Sequence, residues 1–218
     1  MDEICSLILK EKLIVILRGI PKDCLEDVSK AVIRGGVKLM EVTFNQKSQD
    51  PILELTTQLE TIREAVGDQL CLGAGTVLTV EQVEAAYRAG AKYIISPNSS
   101  MEVIRRTKEL GMVSIPGAMT PTEIANAWQW GADIIKLFPA DDLGCHYIKN
   151  VKAPLSHIPL LATGGVNPDT IPLFLEAGAV GVGTGISIAK PELIAARDFD
   201  GIADLARAHV EAVHRARV

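Results

Sequence analysis

Eight short runs of β-branched and aliphatic residues alternate with longer segments of helical period, and this alternation narrows the fold more than any other feature of the chain. The runs are Leu13–Leu17, Leu39–Thr43, Leu70–Gly73, Tyr93–Ile95, Met112–Ile115, Ile134–Phe138, Leu160–Thr163 and Val180–Val182. Runs this apolar fit strands covered on both faces, as in a parallel sheet flanked by helices. Alternating βα units with short connections require such a sheet, and eight parallel strands close a barrel. A doubly wound open sheet would carry G-x-G-x-x-G after its first strand. Here Leu17-Arg18-Gly19-Ile20-Pro21 follows instead. The expectation is therefore an α/β fold, a (β/α)8 TIM barrel formed as one domain over residues 1–218. Asp2 to Glu11 is expected to add an N-terminal helix across the barrel's bottom.

The helices announce their ends. Thr79-Val80-Glu81-Gln82 and Thr120-Pro121-Thr122-Glu123 have the form of capping boxes, the second with proline at the first helical position. Helices are expected to stop at Gly35-Gly36, Gly90, Gly111, Gly131 and Gly178, three of them as Gly-Ala pairs that mark a faint repeat of the βα unit.

Composition bounds the function. With 48% hydrophobic and 22% charged residues the chain has the profile of a soluble globular protein. A net charge of -5 and the absence of Lys/Arg runs argue against a general nucleic-acid surface. No apolar stretch reaches the ~20 residues a membrane span needs. Cys5, Cys24, Cys71 and Cys145 are scattered without a CxxC pair, and Met1-Asp2-Glu3 is acidic where a signal peptide is basic. These features point to a cytoplasmic protein. The histidines form no evident metal-ligand cluster. His209 and His214 do not share a face of the last helix and are expected in solvent, while His157 and His146 fall in surface connections.

In a barrel of this kind the reacting groups sit at the C-terminal ends of the strands. Lys136 is the residue with the fewest bland explanations, since it lies in a strand with two apolar residues on each side. Alternation places Ile134, Lys136 and Phe138 on one face. If that face is the interior, burial disfavours the ammonium and makes the amine nucleophilic. Holding a lysine neutral near pH 7 costs about 4 kcal/mol, an arrangement that calls for a use. The bland alternatives are a structural ion pair with Glu41 or an exposed strand end. Glu41 is the matching acid, on a face shared with Leu39 and Thr43, and a carboxylate there can move protons. Arg18 ends the first strand, and Gly73-Ala74-Gly75-Thr76 follows the third. Backbone N–H groups at Gly164-Gly165 and Gly183-Thr184-Gly185 are placed to cradle a phosphate.

The ordered motifs Glu41-Val42-Thr43, Gly73-Ala74-Gly75-Thr76-Val77, Ile95-Ser96-Pro97, Ile115-Pro116-Gly117, Lys136-Leu137-Phe138-Pro139 and Thr163-Gly164-Gly165-Val166 resemble the bacterial family of 2-keto-3-deoxy-6-phosphogluconate (KDPG) and 4-hydroxy-2-oxoglutarate (KHG) aldolases. The resemblance covers essentially the whole chain. It implies a homotrimer, no metal or other cofactor, and a pyruvate Schiff base on Lys136 with Glu41 as general acid and base. It also implies pyruvate binding by Thr76, with Arg18 on the same side, and a phosphate side of Gly164, Gly165 and Thr184. Thr163 matches the position facing the hydroxyl-bearing carbon in gluconate-type members, and galactonate-type relatives look different there. Two departures stand out: Asn45 where some members carry a carboxylate-binding arginine, and threonine rather than serine at Thr184. The competing readings are a phosphosugar isomerase or epimerase on the same barrel, and a non-catalytic phosphosugar-binding protein, because barrels host many chemistries.

Overall fold

In the computed structural model, which describes residues 3–216, the alternation of the strand runs resolves into an inner and an outer apolar layer. The strands are β1 (Leu13–Leu17), β2 (Leu39–Thr43), β3 (Cys71–Gly75), β4 (Tyr93–Ile95), β5 (Val113–Ile115), β6 (Gly117–Ala118), β7 (Ile135–Leu137), β8 (Leu160–Thr163) and β9 (Gly181–Thr184). Helices pack around them: α1 (Glu3–Glu11), α2 (Leu25–Arg34), α3 (Pro51–Val66), α4 (Val80–Arg88), α5 (Met101–Glu109), α6 (Pro121–Gln129), α7 (Ala140–Lys152), α8 (Thr170–Glu176), α9 (Pro191–Ala195) and α10 (Phe199–Arg215). All pairings are parallel, in the order β5-β4-β3-β2-β1-β9-β8-β7-β6.

Nine strands replace the expected eight because the fifth is broken at Pro116, which has no N–H to give a ladder. Its first half, β5, pairs with β4, and its second half, β6, pairs with β7. The two ends of the strand order are thus halves of one crossing. Ser96 N–H donates to Ile115 O at 3.2 Å on one side, and Lys136 N–H donates to Pro116 O at 2.9 Å on the other. The barrel is closed through this break.

Side chains at alternate positions fill the interior: Ile14, Leu39, Tyr93, Ile95, Val113, Ile115, Ile134 and Leu161 form one buried cluster. Cys5 and Ile8 of α1 join it, so the N-terminal helix plugs the bottom as expected; Asp2, its expected first residue, lies outside the described residues. On β3 the inward positions are glycines. A Cβ on Gly73 would stand 2.2 Å from the Tyr93 ring, and one on Gly75 would stand 2.6 Å from the Glu41 carboxyl carbon. Two glycines therefore make room for two larger polar side chains in the core. The run expected to end at Gly73 continues to Gly75 for this reason, as strand rather than turn.

Thr120 and Glu123 form the expected capping box on α6. At α4, Thr79 caps the helix, but Gln82 reaches past it to accept from Leu78 N–H at 2.7 Å, so the reciprocal bond is displaced by one residue. At the first glycine stop, Gly36 and not Gly35 takes the positive φ. Among the described residues no helix is long and apolar enough to cross a membrane.

Candidate active site

Seven of the eight residues singled out above line one cavity of about 580 Å³ at the C-terminal ends of the strands: Arg18, Thr76, Lys136, Thr163, Gly164, Gly165 and Thr184. Glu41 is the exception. It does not line the open space and is 1% exposed, with its carboxyl lying against Gly75.

Lys136 is 7% exposed, in the middle of β7 and in register with Gly117 and Leu161. The exposed-strand-end explanation for this lysine is thereby removed. Its Nζ lies 4.8 Å from the centroid of the Phe138 ring, which sits at the cavity wall. Burial holds the amine below its ordinary pKa; Glu41 opposes this and the Arg18 charge adds to it. Glu41 is displaced the other way. Burial raises its carboxyl to about 7, against the pull of Lys136 and Arg18. Oε2 of Glu41 has no hydrogen-bond partner, so that oxygen is not spent on an ion pair. An amine pushed down and an acid pushed up bring both groups toward neutral pH, where each can exchange a proton.

Also in the cavity wall, Arg18 Nη2 donates to Thr76 Oγ1 at 2.9 Å. Thr76 has a φ of 57°, a left-handed conformation that a β-branched residue rarely takes. The strain is held by Gln46, whose amide donates to Thr76 O at 2.8 Å and accepts from Gln82 at 3.1 Å. Asn45 is exposed and turns its side-chain oxygen back to Lys47 N–H at 3.1 Å, closing a local turn. The late loops supply the remaining wall. Gly164 and Gly165 have φ of 105° and 64°, and a Cβ on Gly165 would stand 2.3 Å from Asp141 Cβ at the start of α7. Oγ1 of Thr163 is buried without a partner.

The chain matches the family model for KDPG and KHG aldolases over residues 4–205. The chain belongs to that family. It is 38% identical to 2-dehydro-3-deoxy-6-phosphogalactonate aldolase of Escherichia coli (strain K12), over 94% of this chain and 97% of the relative. It is 33% identical to 2-dehydro-3-deoxy-phosphogluconate aldolase of Treponema pallidum (strain Nichols), over 90% of this chain and 94% of the relative. A solved native KDPGal structure superposes with a TM-score of 0.83 at 37% identity, covering 94% of this chain and 95% of that one. The chain is accordingly an aldolase, and hence a lyase, on a TIM-type barrel. The isomerase and binding-protein readings lose their ground.

Several residues at or behind the site escape a reading of the sequence. Gln46 and Asp141 look like ordinary surface residues until the loops are folded. His209 corrects an expectation: it is fully buried on α10, not solvated. The signal was present, since Ile202, Ala206 and Val213 share its stripe at helical spacing and are buried with it. Among the described residues no group of three or more His, Cys, Asp or Glu is placed to hold a metal ion.

Proposed function

We propose that this aldolase works through a Schiff base on Lys136, with Glu41 moving the protons, and that it cleaves KDPG to pyruvate and glyceraldehyde 3-phosphate and KHG to pyruvate and glyoxylate. The observation that carries the reading is the opposed pair at the site: a buried amine held below its ordinary pKa and a buried carboxyl raised to about 7. Neutral Lys136 adds to the C2 ketone, and Glu41 delivers the proton with which the carbinolamine loses water. Glu41 then takes the C4 hydroxyl proton as the C3–C4 bond breaks. The electron pair moves into the iminium to give an enamine, a stabilised product where a free carbanion would be a poor one. The aldehyde leaves, C3 is protonated, and water releases pyruvate from the lysine. No metal or other cofactor enters this scheme.

Arg18 and Thr76 bind the pyruvate carboxylate in this reading. Because Asn45 is neutral and turned to its own loop, Arg18 carries the positive charge on that side. Gly164, Gly165 and Thr184 form the phosphate side, and the unpartnered Oγ1 of Thr163 meets the C4 hydroxyl. A threonine here, as in the gluconate-type members that the chain resembles at this position, supports the gluconate configuration. A second reading, the C4 epimer 2-keto-3-deoxy-6-phosphogalactonate, is favoured by the 38% identity to the galactonate-type relative. Both epimers give the same two products, because C4 becomes the aldehyde carbon. Resemblance to the family supports a homotrimer, and the free thiols of Cys24 and Cys145 support a cytoplasmic location.

Pyruvate release from KDPG, from its C4 epimer and from KHG tests the assignment, with Lys136→Ala as control. Turnover of KDPG and KHG that exceeds the epimer and vanishes in the variant is expected. Preference for the epimer would install the second reading, and no release from any of the three would overturn both.

A further inference from the structure

Behind the late loops lies a buried polar cluster that the lysine chemistry does not use. Its members are Thr184 on β9, Ser187 two residues beyond the strand's following glycine, and His209 on α10. Val166 O lies within hydrogen-bond reach of both Thr184 Oγ1 at 3.0 Å and Ser187 Oγ at 2.9 Å. One carbonyl after β8 thus ties the Gly164–Gly165 loop to the loop after β9. The Thr184 and Ser187 hydroxyls are in direct hydrogen-bond contact with each other. Nε2 of His209 lies 3.1 Å from Ser187 Oγ, and Nδ1 lies 2.7 Å from Leu205 O.

The protons of this cluster can be placed by counting. A carbonyl only accepts, so Nδ1 of His209 carries a proton. Burial holds the imidazole below its ordinary pKa, which leaves Nε2 with a lone pair. Nε2 then accepts the Ser187 proton, and the one remaining hydroxyl proton, that of Thr184, is shared between Ser187 Oγ and Val166 O. The Thr184 side chain is therefore turned inward as a donor. What this loop offers an anion in the cavity is its backbone N–H groups, and the cluster decides where they point. The Thr184 hydroxyl is an anchor for the phosphate side.

We infer that His209 is a positioning residue for phosphorylated substrates: through Ser187 it holds Thr184 and the Val166 carbonyl, and so aligns the two loops that face the phosphate. It rests on the phosphate-side assignment above and goes beyond it, since His209 touches no substrate. A wholly apolar residue on this stripe of α10 would fill the core without fixing the loops. An imidazole with both nitrogens bonded fixes them at no cost in unsatisfied polar groups. KHG carries no phosphate, and its second carboxylate is bonded directly to C4, short of where KDPG carries its phosphate, so the cluster gives the aldolase a way to favour phosphorylated substrates independently of Lys136 and Glu41.

The test compares His209→Phe, which keeps a ring and loses both nitrogens, with Ser187→Ala, which cuts the relay at a half-buried position the fold tolerates. His209→Gln keeps a side-chain amide within reach of Ser187 and serves as rescue. Affinity for inorganic phosphate is measured by titration calorimetry, alongside kcat and KM for KDPG and KHG. Both cutting variants are expected to weaken phosphate binding and raise KM for KDPG about tenfold, the loss of one hydrogen bond to a charged group. Their kcat and their KM for KHG stay within twofold, the double variant is no worse than either single one, and His209→Gln recovers part of the loss. A parallel fall for both substrates, or no change in Ser187→Ala, would overturn the inference. If the parent protein cleaves neither substrate but its phosphate binding still weakens in His209→Phe and Ser187→Ala, the functional reading fails and this one stands.

Discussion

Replacing Glu41 by glutamine should make the protein more stable and nearly inactive, and the size of the first effect follows from the site. The carboxyl is fully buried and its pKa rises from 4.5 to about 7 on folding. The folded state therefore binds a proton more tightly than the unfolded chain does, and stability falls as pH rises between 4.5 and about 7. At about 1.4 kcal/mol per pH unit, the ionised carboxylate costs the fold about 3 kcal/mol at pH 8 and almost nothing at pH 4. Glutamine has the shape of the protonated acid and no titration, so Glu41→Gln removes that cost. For a chain of this length a gain of that size raises Tm by about 6–12 °C at pH 8, and the difference should vanish near pH 4. Thermal unfolding followed by circular dichroism at the two pH values reads this directly. Loss of a general acid and base lowers kcat by about a hundredfold to ten-thousandfold in the same variant. A Glu41→Gln protein that melts at or below the parent temperature at pH 8, or whose advantage is the same at both pH values, would refute the reasoning.

Other perturbations separate the remaining parts of the site. Arg18→Gln removes a charge that lowers both the Glu41 and Lys136 pKa values, so both limbs of the pH–rate profile should move to higher pH and KM for pyruvate-forming substrates should rise about tenfold or more. Thr163→Val removes a buried hydroxyl without a partner, and should leave the melting temperature unchanged or higher while erasing discrimination between the two C4 epimers. Gly73→Ala drives a methyl into the Tyr93 ring and should cost about 1–3 kcal/mol in urea unfolding, with kcat affected far less than by Gly75→Ala, whose methyl displaces the Glu41 carboxyl.

Much of this site was legible before folding because barrels put chemistry at strand ends and because Lys136 and Glu41 violate the apolar rule of their strands. The strand cores match their β-branched runs, and the inward alternation of Ile134 and Lys136, or of Leu39 and Glu41, held. What escaped was decided by contacts distant in sequence. The fifth run was read as ending at Ile115, but strand pairing resumes beyond Pro116 at Gly117–Ala118, and this is visible only through the two different neighbours. Gly75 fell beyond the run expected to end at Gly73, yet both glycines lie in the strand, and their lack of side chains is matched to Tyr93 and Glu41. His209 looked solvated when paired with His214; its apolar stripe on α10 was the better guide, and its link to Ser187 needed the fold. The strain at Thr76 and its support by Gln46 have no local signature at all.

The central claim is that Lys136 forms the covalent bond to pyruvate. Incubation with pyruvate and borohydride, followed by intact mass and peptide mapping, tests it most directly. The account predicts a single pyruvate-derived addition on the peptide containing Lys136, absent from Lys136→Ala and slowed in Glu41→Gln. An adduct on another lysine, or none on a protein that still releases pyruvate from its substrate, would contradict it.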